Sequence, residues 1–168
     1  MIYPFAKYFN PGSPVGGQGA SNFPVRETGG IFLIGFMGSG KTYWGNKWAE
    51  RSGLQYFDID KIIEDEQTKT IAKIFEEDGE EHFRNLETET LKDLKNKTNI
   101  IVACGGGTPC FNDNINWMNN NGVSVYLQSS AKNILHRLLS EKEKRPLIKN
   151  LQDEEMLFYI TEKIKEML

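Results

Sequence analysis

Hydrophobic and polar residues follow one pattern before residue 31 and another after it. Ten of the first 30 residues are Gly or Pro. Proline lacks a backbone donor and glycine loses the most entropy on ordering, so such a segment is a poor source of helices or paired strands. We therefore expect residues 1–30 to be a mobile arm, or an expression remnant, that stays outside the sheet.

From Ile31 onward, short apolar runs alternate with segments whose apolar residues recur at helical spacing. This alternation predicts an α/β domain over residues 31–168, in which helices cover both faces of a parallel sheet of four to five strands. Ligands of such sheets lie beyond the carboxyl ends of the strands. The pattern predicts strands at 31–34, 54–57, 99–103 and 123–127, and helices at 41–51, 60–66, 70–77, 79–96, 111–120, from Ser129 or Ser130 to 139, and from 153.

A phosphate-binding loop stands between the first predicted strand and the helix after it. Residues 35–42 read Gly-Phe-Met-Gly-Ser-Gly-Lys-Thr, which fits G-x-x-x-x-G-K-[ST]. Backbone N–H groups of such a loop point at one anion, Lys41 is expected to reach the β- and γ-phosphates, and Thr42 to ligate Mg²⁺. A glycine-rich turn without a ligand is the alternative, which the strand-to-helix context disfavours. The loop indicates the P-loop NTP hydrolase fold type.

Composition excludes several other classes of protein. The net charge of −3 gives no reason to expect nucleic-acid binding. No apolar run approaches the ~18 residues of a membrane span, and the two cysteines, Cys104 and Cys110, are too few for a disulfide scaffold. Free thiols in a reducing compartment are the better interpretation, so we expect a cytoplasmic location.

Two aspartates follow the second predicted strand. Asp58 and Asp60 are two residues apart, and such residues share a face of an extended chain. One carboxylate could assist a magnesium ion while the other accepts a proton from an attacking hydroxyl group. A pair of helix-capping aspartates is the alternative, and it is about equally consistent with the sequence.

Three further features carry candidate chemistry. Arg84 offers a planar fork for a carboxylate, and Glu87 at i+3 could orient it, although a surface ion pair is the common alternative. Gly105–Gly107 would let a ligand approach the backbone, or would form only a flexible turn. Arg145 lies in a charged loop that could close over ATP as a lid or could simply be solvated.

These motifs occur in the order and spacing of one known family. The phosphate loop, Asp-x-Asp, Phe-Arg-x-x-Glu, Gly-Gly-Gly and Arg-Pro-Leu all stand in this chain, which from about Ile31 to Leu168 resembles shikimate kinase. The resemblance implies a nucleoside-monophosphate-kinase-like fold. It also implies transfer of the γ-phosphate of ATP to the 3-hydroxyl group of shikimate, with Mg²⁺, in aromatic amino-acid biosynthesis.

The resemblance also implies a role for each matched residue. Asp60 would hold the acceptor hydroxyl groups and act as base, Asp58 would lie near the magnesium ion, and Arg84 would bind the shikimate carboxylate. Arg145 would be the lid arginine, and Arg137 would pack against adenine. The expected catalytic residues are Lys41, Asp60 and Arg145, and the expected metal ligands are Thr42 and Asp58. The residues expected to bind ATP are Gly38, Ser39, Gly40, Lys41, Thr42, Tyr43, Arg137 and Arg145. The residues expected to bind the acceptor are Asp60, Arg84, Gly105, Gly106 and Gly107.

The chain departs from the family pattern near its end. Family members carry a second substrate arginine about where this chain has Met167, followed by a fifth strand and a helix. Loss of one arginine–carboxylate pair should weaken shikimate binding by roughly 1–3 kcal/mol. An uncovered sheet edge should lower stability or pair with another chain, and the protein is otherwise expected to be a monomer. Two alternatives stay open: a nucleotide-binding relative that has lost catalysis, and a P-loop kinase for another small hydroxy acid such as gluconate.

Overall fold

The computed structural model describes residues 7–9, 29–142 and 145–167, and its strands form one parallel sheet. The order across the sheet is β1-β5-β2-β4-β3, and every neighbouring pair is parallel. The predicted parallel sheet is therefore confirmed. The strands are β1 (Lys7–Phe9), β2 (Gly30–Ile34), β3 (Gln55–Asp58), β4 (Ile100–Ala103) and β5 (Gly122–Leu127).

The helices follow the predicted segments closely, with one shifted start. The helix predicted to begin at residue 111 begins at Asn114, because Asn112 and Asp113 have φ values of 50° and 57°, outside the helical range. A 3₁₀ turn, Thr108–Cys110, precedes them, and another, Leu94–Asn96, ends the segment predicted at 79–96. The α-helices are α1 (Lys41–Ser52), α2 (Ile59–Gln67), α3 (Ile71–Glu77), α4 (Gly79–Asp93), α5 (Asn114–Asn121), α6 (Ala131–Leu139) and α7 (Asp153–Met167).

The central strand β2 explains why helices cover both faces of the sheet. Phe32 and Ile34 pack into a large cluster with residues of α4 to α7, whereas Ile31 and Leu33 pack into a second cluster with α1. Successive residues of a strand point to opposite faces, so all four side chains are buried. An unbroken apolar run is the expected sequence of such a strand.

The prediction that residues 1–30 stay outside the sheet is wrong at β1. The backbone of Lys7–Phe9 pairs in parallel with Val125–Leu127, at the edge of the sheet beyond β5. These three residues contain neither Gly nor Pro, and the pairing satisfies polar groups that an open edge of β5 would leave unpaired. The edge expected to be uncovered is therefore occupied by the chain itself. Residues 1–6 and 10–28 of the predicted arm lie outside the described residues.

The phosphate loop and both aspartates lie at the carboxyl ends of β2 and β3, and Gly105–Gly107 follow the carboxyl end of β4. Because these strands are parallel neighbours, their ends meet at one edge of the sheet. The sheet thereby gathers residues that are far apart in sequence into one region. None of the described helices is both long enough and apolar enough to cross a membrane.

Candidate active site

The loop of residues 35–40 connects β2 to α1 through backbone conformations that favour glycine. Gly38 and Gly40 have φ values of 75° and 97°. Gly40 caps the N-terminus of α1, so the first free N–H groups of that helix face the loop. The hydroxyl of Ser39 is buried and has no hydrogen-bond partner among the described residues. The loop therefore has the shape of an anion site.

Lys41 is folded back onto its own loop. Its Nζ donates to the carbonyl oxygens of Gly35 at 2.7 Å and Phe36 at 3.1 Å. Burial lowers the pKa of Lys41 to about 8, although nearby Asp60 acts in the opposite direction. A phosphate ligand would stabilise the charged ammonium group, which burial alone disfavours.

Asp58 caps a helix and also contacts the first turn of α1. Its Oδ1 accepts from the backbone N–H of Lys61 at 3.3 Å and so caps α2. Its Oδ2 accepts from the hydroxyls of Thr42 and Tyr56, each at 3.0 Å. Sequence analysis missed Tyr56, although it stands two residues before Asp58 on the same face of β3.

Asp60 lies in the first turn of α2, in agreement with the helix predicted at 60–66, so the argument from a shared face of extended chain does not apply to this residue. Its Oδ1 is buried with no hydrogen-bond partner among the described residues. Burial raises the pKa of Asp60 to about 6, Glu87 and Asp58 add to the rise, and Lys41 opposes it. A carboxylate in this state is a good proton acceptor near neutral pH.

Arg84 is buried rather than part of a surface ion pair. Its Nη1 donates to Glu87 at 2.7 Å, and its Nε and Nη2 donate to Glu80 at 3.1 and 2.8 Å. Only 9% of the Arg84 side chain and none of the Glu87 side chain is exposed. The ring centroid of Phe111 lies 4.5 Å from Cζ, within cation–π range. Sequence analysis found Glu87 but missed Glu80 and Phe111.

Two glycines of the 105–107 segment allow these groups to come together. A Cβ on Gly105 would overlap the carboxylate of Glu87 and lie 3.0 Å from Oδ1 of Asp60. A Cβ on Gly107 would lie 2.7 Å from Nη1 of Arg84. A side chain at either position would displace these charged groups, so the two glycines do more here than form a flexible turn.

Two arginines from the second half of the chain border the site. Arg137, on α6, donates from Nη1 to the carbonyl oxygen of Gly38 at 2.9 Å, so it lies beside the phosphate loop. Arg145 donates to Glu141 at 3.0 Å. Tyr43 lies in the first turn of α1 with 61% of its surface exposed. All of the expected ATP-binding residues except the buried Ser39 line one cavity beside the loop.

Two adjoining cavities occupy this region. One, of about 410 Å³, is lined by Lys41, Tyr43 and Arg137; the other, of about 520 Å³, is lined by Arg84, Glu87 and the segment Gly105–Gly107. Both are also lined by the same group of residues, which therefore stands between them: Met37, Thr42, Asp58, Asp60, Gly106, Glu141 and Arg145. The arrangement could hold a nucleotide on one side of Asp60 and an anionic acceptor on the other.

Sequence comparisons agree with this geometry. A family model described as Shikimate kinase matches residues 37–166. The chain is 40% identical over 136 residues to the shikimate kinase of Phocaeicola vulgatus, a match that covers 81% of this chain and 78% of that protein. It is 42% identical over 131 residues to the shikimate kinase of Azobacteroides pseudotrichonymphae, covering 77% of each.

Solved structures show the same likeness. The crystal structure of shikimate kinase from Bacteroides thetaiotaomicron superposes with a TM-score of 0.76 at 34% identity, covering 83% of this chain and 79% of that one. The shikimate kinase of Acinetobacter baumannii, solved in complex with shikimate, gives a TM-score of 0.75 at 33% identity with the same coverage of both chains.

Proposed function

The chain belongs to the shikimate kinase family, and we propose that its paired cavities transfer the γ-phosphoryl group of ATP to the 3-hydroxyl group of shikimate. This reaction is a step of aromatic amino-acid biosynthesis. The observation that carries the proposal is the position of Asp60, which lines both the cavity of Lys41 and the cavity of Arg84. A base in that place can meet an acceptor hydroxyl group and the phosphoryl group that it attacks.

The nucleotide lies in the cavity of the phosphate loop. Backbone N–H groups at the start of α1 bind the phosphates, and the ammonium group of Lys41 leaves the carbonyl oxygens of Gly35 and Phe36 to pair with the β- and γ-phosphates. Arg137 borders this cavity beside adenine, and Arg145 adds positive charge where the phosphoryl group moves.

The acceptor lies in the cavity of Arg84. A guanidinium group has five N–H donors, of which Glu80 and Glu87 engage three. One donor on each terminal nitrogen is left for the shikimate carboxylate. Asp60 accepts the proton of the attacking hydroxyl group, and the backbone of Gly106 borders the ring.

Thr42 and Asp58 are suited to hold Mg²⁺ with the phosphates. Their side-chain oxygens lie 3.0 Å apart, and oxygen donors are the ligands this ion prefers. Among the described residues, no cluster of three or more His, Cys, Asp or Glu could hold a metal alone. When bound, the ion neutralises negative charge on the transferring group.

A coupled assay with ATP, Mg²⁺ and shikimate tests the proposal. We expect shikimate-dependent ADP release that is lost in Lys41→Ala, since the phosphates then lack their ammonium partner. Asp60→Asn should keep ATP affinity and lose most turnover, by about 10²–10⁴-fold for a general base.

Two outcomes would contradict the proposed reaction, and a third would contradict the assignment of the base. Binding of ATP without turnover of shikimate would favour a nucleotide-binding relative that has lost catalysis. Faster turnover of gluconate than of shikimate would identify a kinase for another hydroxy acid. Unchanged turnover in Asp60→Asn would show that another group accepts the proton.

A further inference from the structure

Beneath the acceptor cavity lies a layer of buried polar side chains to which the proposed reaction gives no role. Thr108, Asn114 and Thr88 are 0%, 0% and 7% exposed. Burying polar groups is unfavourable unless each finds a partner, so their hydrogen bonds indicate what the layer holds in place. Thr88 belongs to α4, the helix of Arg84, and Thr108 and Asn114 are hydrogen-bonded to side chains of that helix.

Thr108 fixes one oxygen of the Glu87 carboxylate. Its hydroxyl donates to Oε1 of Glu87, while Oε2 of Glu87 accepts from Arg84 at 2.7 Å. Each carboxylate oxygen therefore has one fixed donor. Since Glu87 is fully buried, water does not compete for either oxygen. The two hydrogen bonds together fix the orientation of the carboxylate.

Thr108 is itself held by the segment around it. Its backbone N–H donates to the carbonyl oxygen of Gly105 at 3.3 Å, and its carbonyl oxygen accepts from Asn114 at 3.0 Å. Asn114 also donates to the hydroxyl of Thr88 at 3.1 Å, and Thr88 donates to the carbonyl oxygen of Arg84 at 2.9 Å. The threonine hydroxyl is thus a fixed point relative to α4.

Arg84 needs such a fixed partner because a second carboxylate competes for it. Glu80 accepts from Nε and Nη2 of Arg84, and its own side chain is 46% exposed. Arg84 already donates to the Glu87 carboxylate, so without the threonine donor the buried Oε1 would turn to the same guanidinium group. The arginine would then lose N–H groups that a carboxylate ligand requires.

We propose that Thr108 is a positioning residue for the acceptor: its hydroxyl orients Glu87 so that Arg84 keeps two N–H donors for the substrate carboxylate. The inference rests on the proposed function, because it assigns Arg84 to a carboxylate ligand. It concerns acceptor binding, because Glu87 and Arg84, through which Thr108 acts, line the acceptor cavity and not the nucleotide cavity.

Thr108→Val tests this proposal, because valine matches the shape of threonine without the hydroxyl group. We expect the KM for shikimate to rise about tenfold, since a hydrogen bond to a charged group is lost. The KM for ATP should change by less than about twofold. Thr108→Ser should restore most of the shikimate affinity. Thr90→Val, at a buried threonine of α4 outside the layer, is the matched control and should change neither constant.

A double-mutant cycle separates positioning from general packing. In a Glu87→Gln background, Thr108→Val should add less than about twofold to the KM for shikimate, because its effect passes through the carboxylate. An equal rise of both KM values, or additive effects in the cycle, would overturn the proposal. Since KM does not depend on the concentration of active enzyme, partial unfolding of a variant does not hide the result.

Failure of the proposed function would look different. The unmutated chain would then not turn over shikimate. Failure of the Thr108 inference alone would leave the unmutated chain active and the KM of Thr108→Val for shikimate unchanged.

Discussion

Individual residues of the site carry buried ionisable groups, whose burial lowers the free energy of unfolding but shifts their pKa values in a way that suits catalysis. Asp60 has a buried oxygen with no hydrogen-bond partner among the described residues, and the ammonium group of Lys41 is buried against backbone carbonyls. The pKa of each is shifted toward its uncharged form, to about 6 and about 8. Such shifts are part of the free energy of unfolding and can therefore be measured without any substrate.

The first prediction concerns the stability of Asp60→Asn. Since the pKa of Asp60 rises from 3.8 to about 6 on folding, the folded chain binds more protons than the unfolded chain between these pH values. The free energy of unfolding then falls as pH rises through this range, by up to about 3 kcal/mol. Asparagine removes the effect, so the variant should gain stability relative to the unmutated protein at about pH 7.5 and much less at about pH 4.

Urea unfolding in the presence of a chelator provides the measurement, because bound metal would alter the charge near Asp60. Glu50→Ala, at an exposed site on α1, serves as the control. A stability difference between Asp60→Asn and the unmutated chain that is the same at both pH values would argue against a raised pKa.

The second prediction concerns the shape of the Arg84 side chain. Lysine keeps the charge but has no planar fork, and it cannot satisfy Glu80, Glu87 and a ligand together. We expect Arg84→Lys to raise the KM for shikimate about 10- to 100-fold and to leave the KM for ATP nearly unchanged. Steady-state kinetics with each substrate varied in turn would measure both. Arg51→Lys, at an exposed arginine of α1, is the control, and a parallel rise in the KM for ATP would refute the assignment.

Among the elements, α1 is constrained in two ways, because its residues belong both to the phosphate-binding site and to the contact with the sheet. Gly45 faces the sheet, where a Cβ would lie 2.5 Å from Cε2 of Tyr56 and 3.1 Å from Cδ1 of Leu33. The same helix carries Lys41 and Thr42. The closeness of α1 to β3 therefore sets the distance between Thr42 and Asp58.

The third prediction follows from this contact. Alanine favours a helix over glycine by about 1 kcal/mol, yet Gly45→Ala should destabilise the protein by about 1–3 kcal/mol because it forces the Tyr56 ring or the helix to move. The displaced Tyr56 hydroxyl should also weaken binding of ATP with Mg²⁺. Urea midpoints and nucleotide titrations would measure the two effects. A Gly45→Ala protein as stable as Glu50→Ala would contradict the close contact.

At the scale of the whole molecule, the sheet is completed by the beginning of the chain. β1 lies beyond β5, at the edge of a sheet whose other strands all come after residue 29. An uncovered β5 would present a row of unpaired backbone groups, which is a common cause of association between chains. The pairing of β1 is therefore a reason to propose that the protein is a monomer.

The fourth prediction tests that role of β1. A chain that lacks residues 1–9 should unfold more easily, by about 1–3 kcal/mol, because a few backbone hydrogen bonds are lost. Its mass by light scattering should rise with concentration as open β5 edges pair. A chain that lacks only residues 1–4 keeps Lys7–Phe9 and is the control. Identical behaviour of the two shortened chains would show that β1 does not protect the edge.

Local sequence patterns were sufficient to predict the main elements and several residues that line the two cavities. The apolar run of β2, the phosphate loop and α1 follow one another without a gap, so their positions depend on near neighbours. The motifs around Asp58, Asp60 and Arg84 are likewise short. Asp58 and Asp60 line both cavities, and Arg84 lines the acceptor cavity.

Other features depend on contacts between distant parts of the chain, which no local pattern encodes. β1 is three residues long, and its partner lies more than 100 residues later. The bond from Thr108 to Glu87 spans 21 residues, and the stacking of Phe111 on Arg84 spans a similar distance. Tyr56 and Glu80 are close in sequence to the residues they bind, but their periodicity alone does not distinguish a site contact from ordinary packing.

The two cysteines differ in a way that makes the chain useful for chemical labelling. Cys104 is buried behind the phosphate loop, whereas Cys110 is exposed and is followed by Phe111, whose ring stacks on Arg84. A thiol-reactive fluorophore should therefore attach to Cys110 first, without any engineered cysteine. The dye would stand beside the acceptor cavity, where its emission could report occupancy in real time and allow competing ligands to be screened without following turnover.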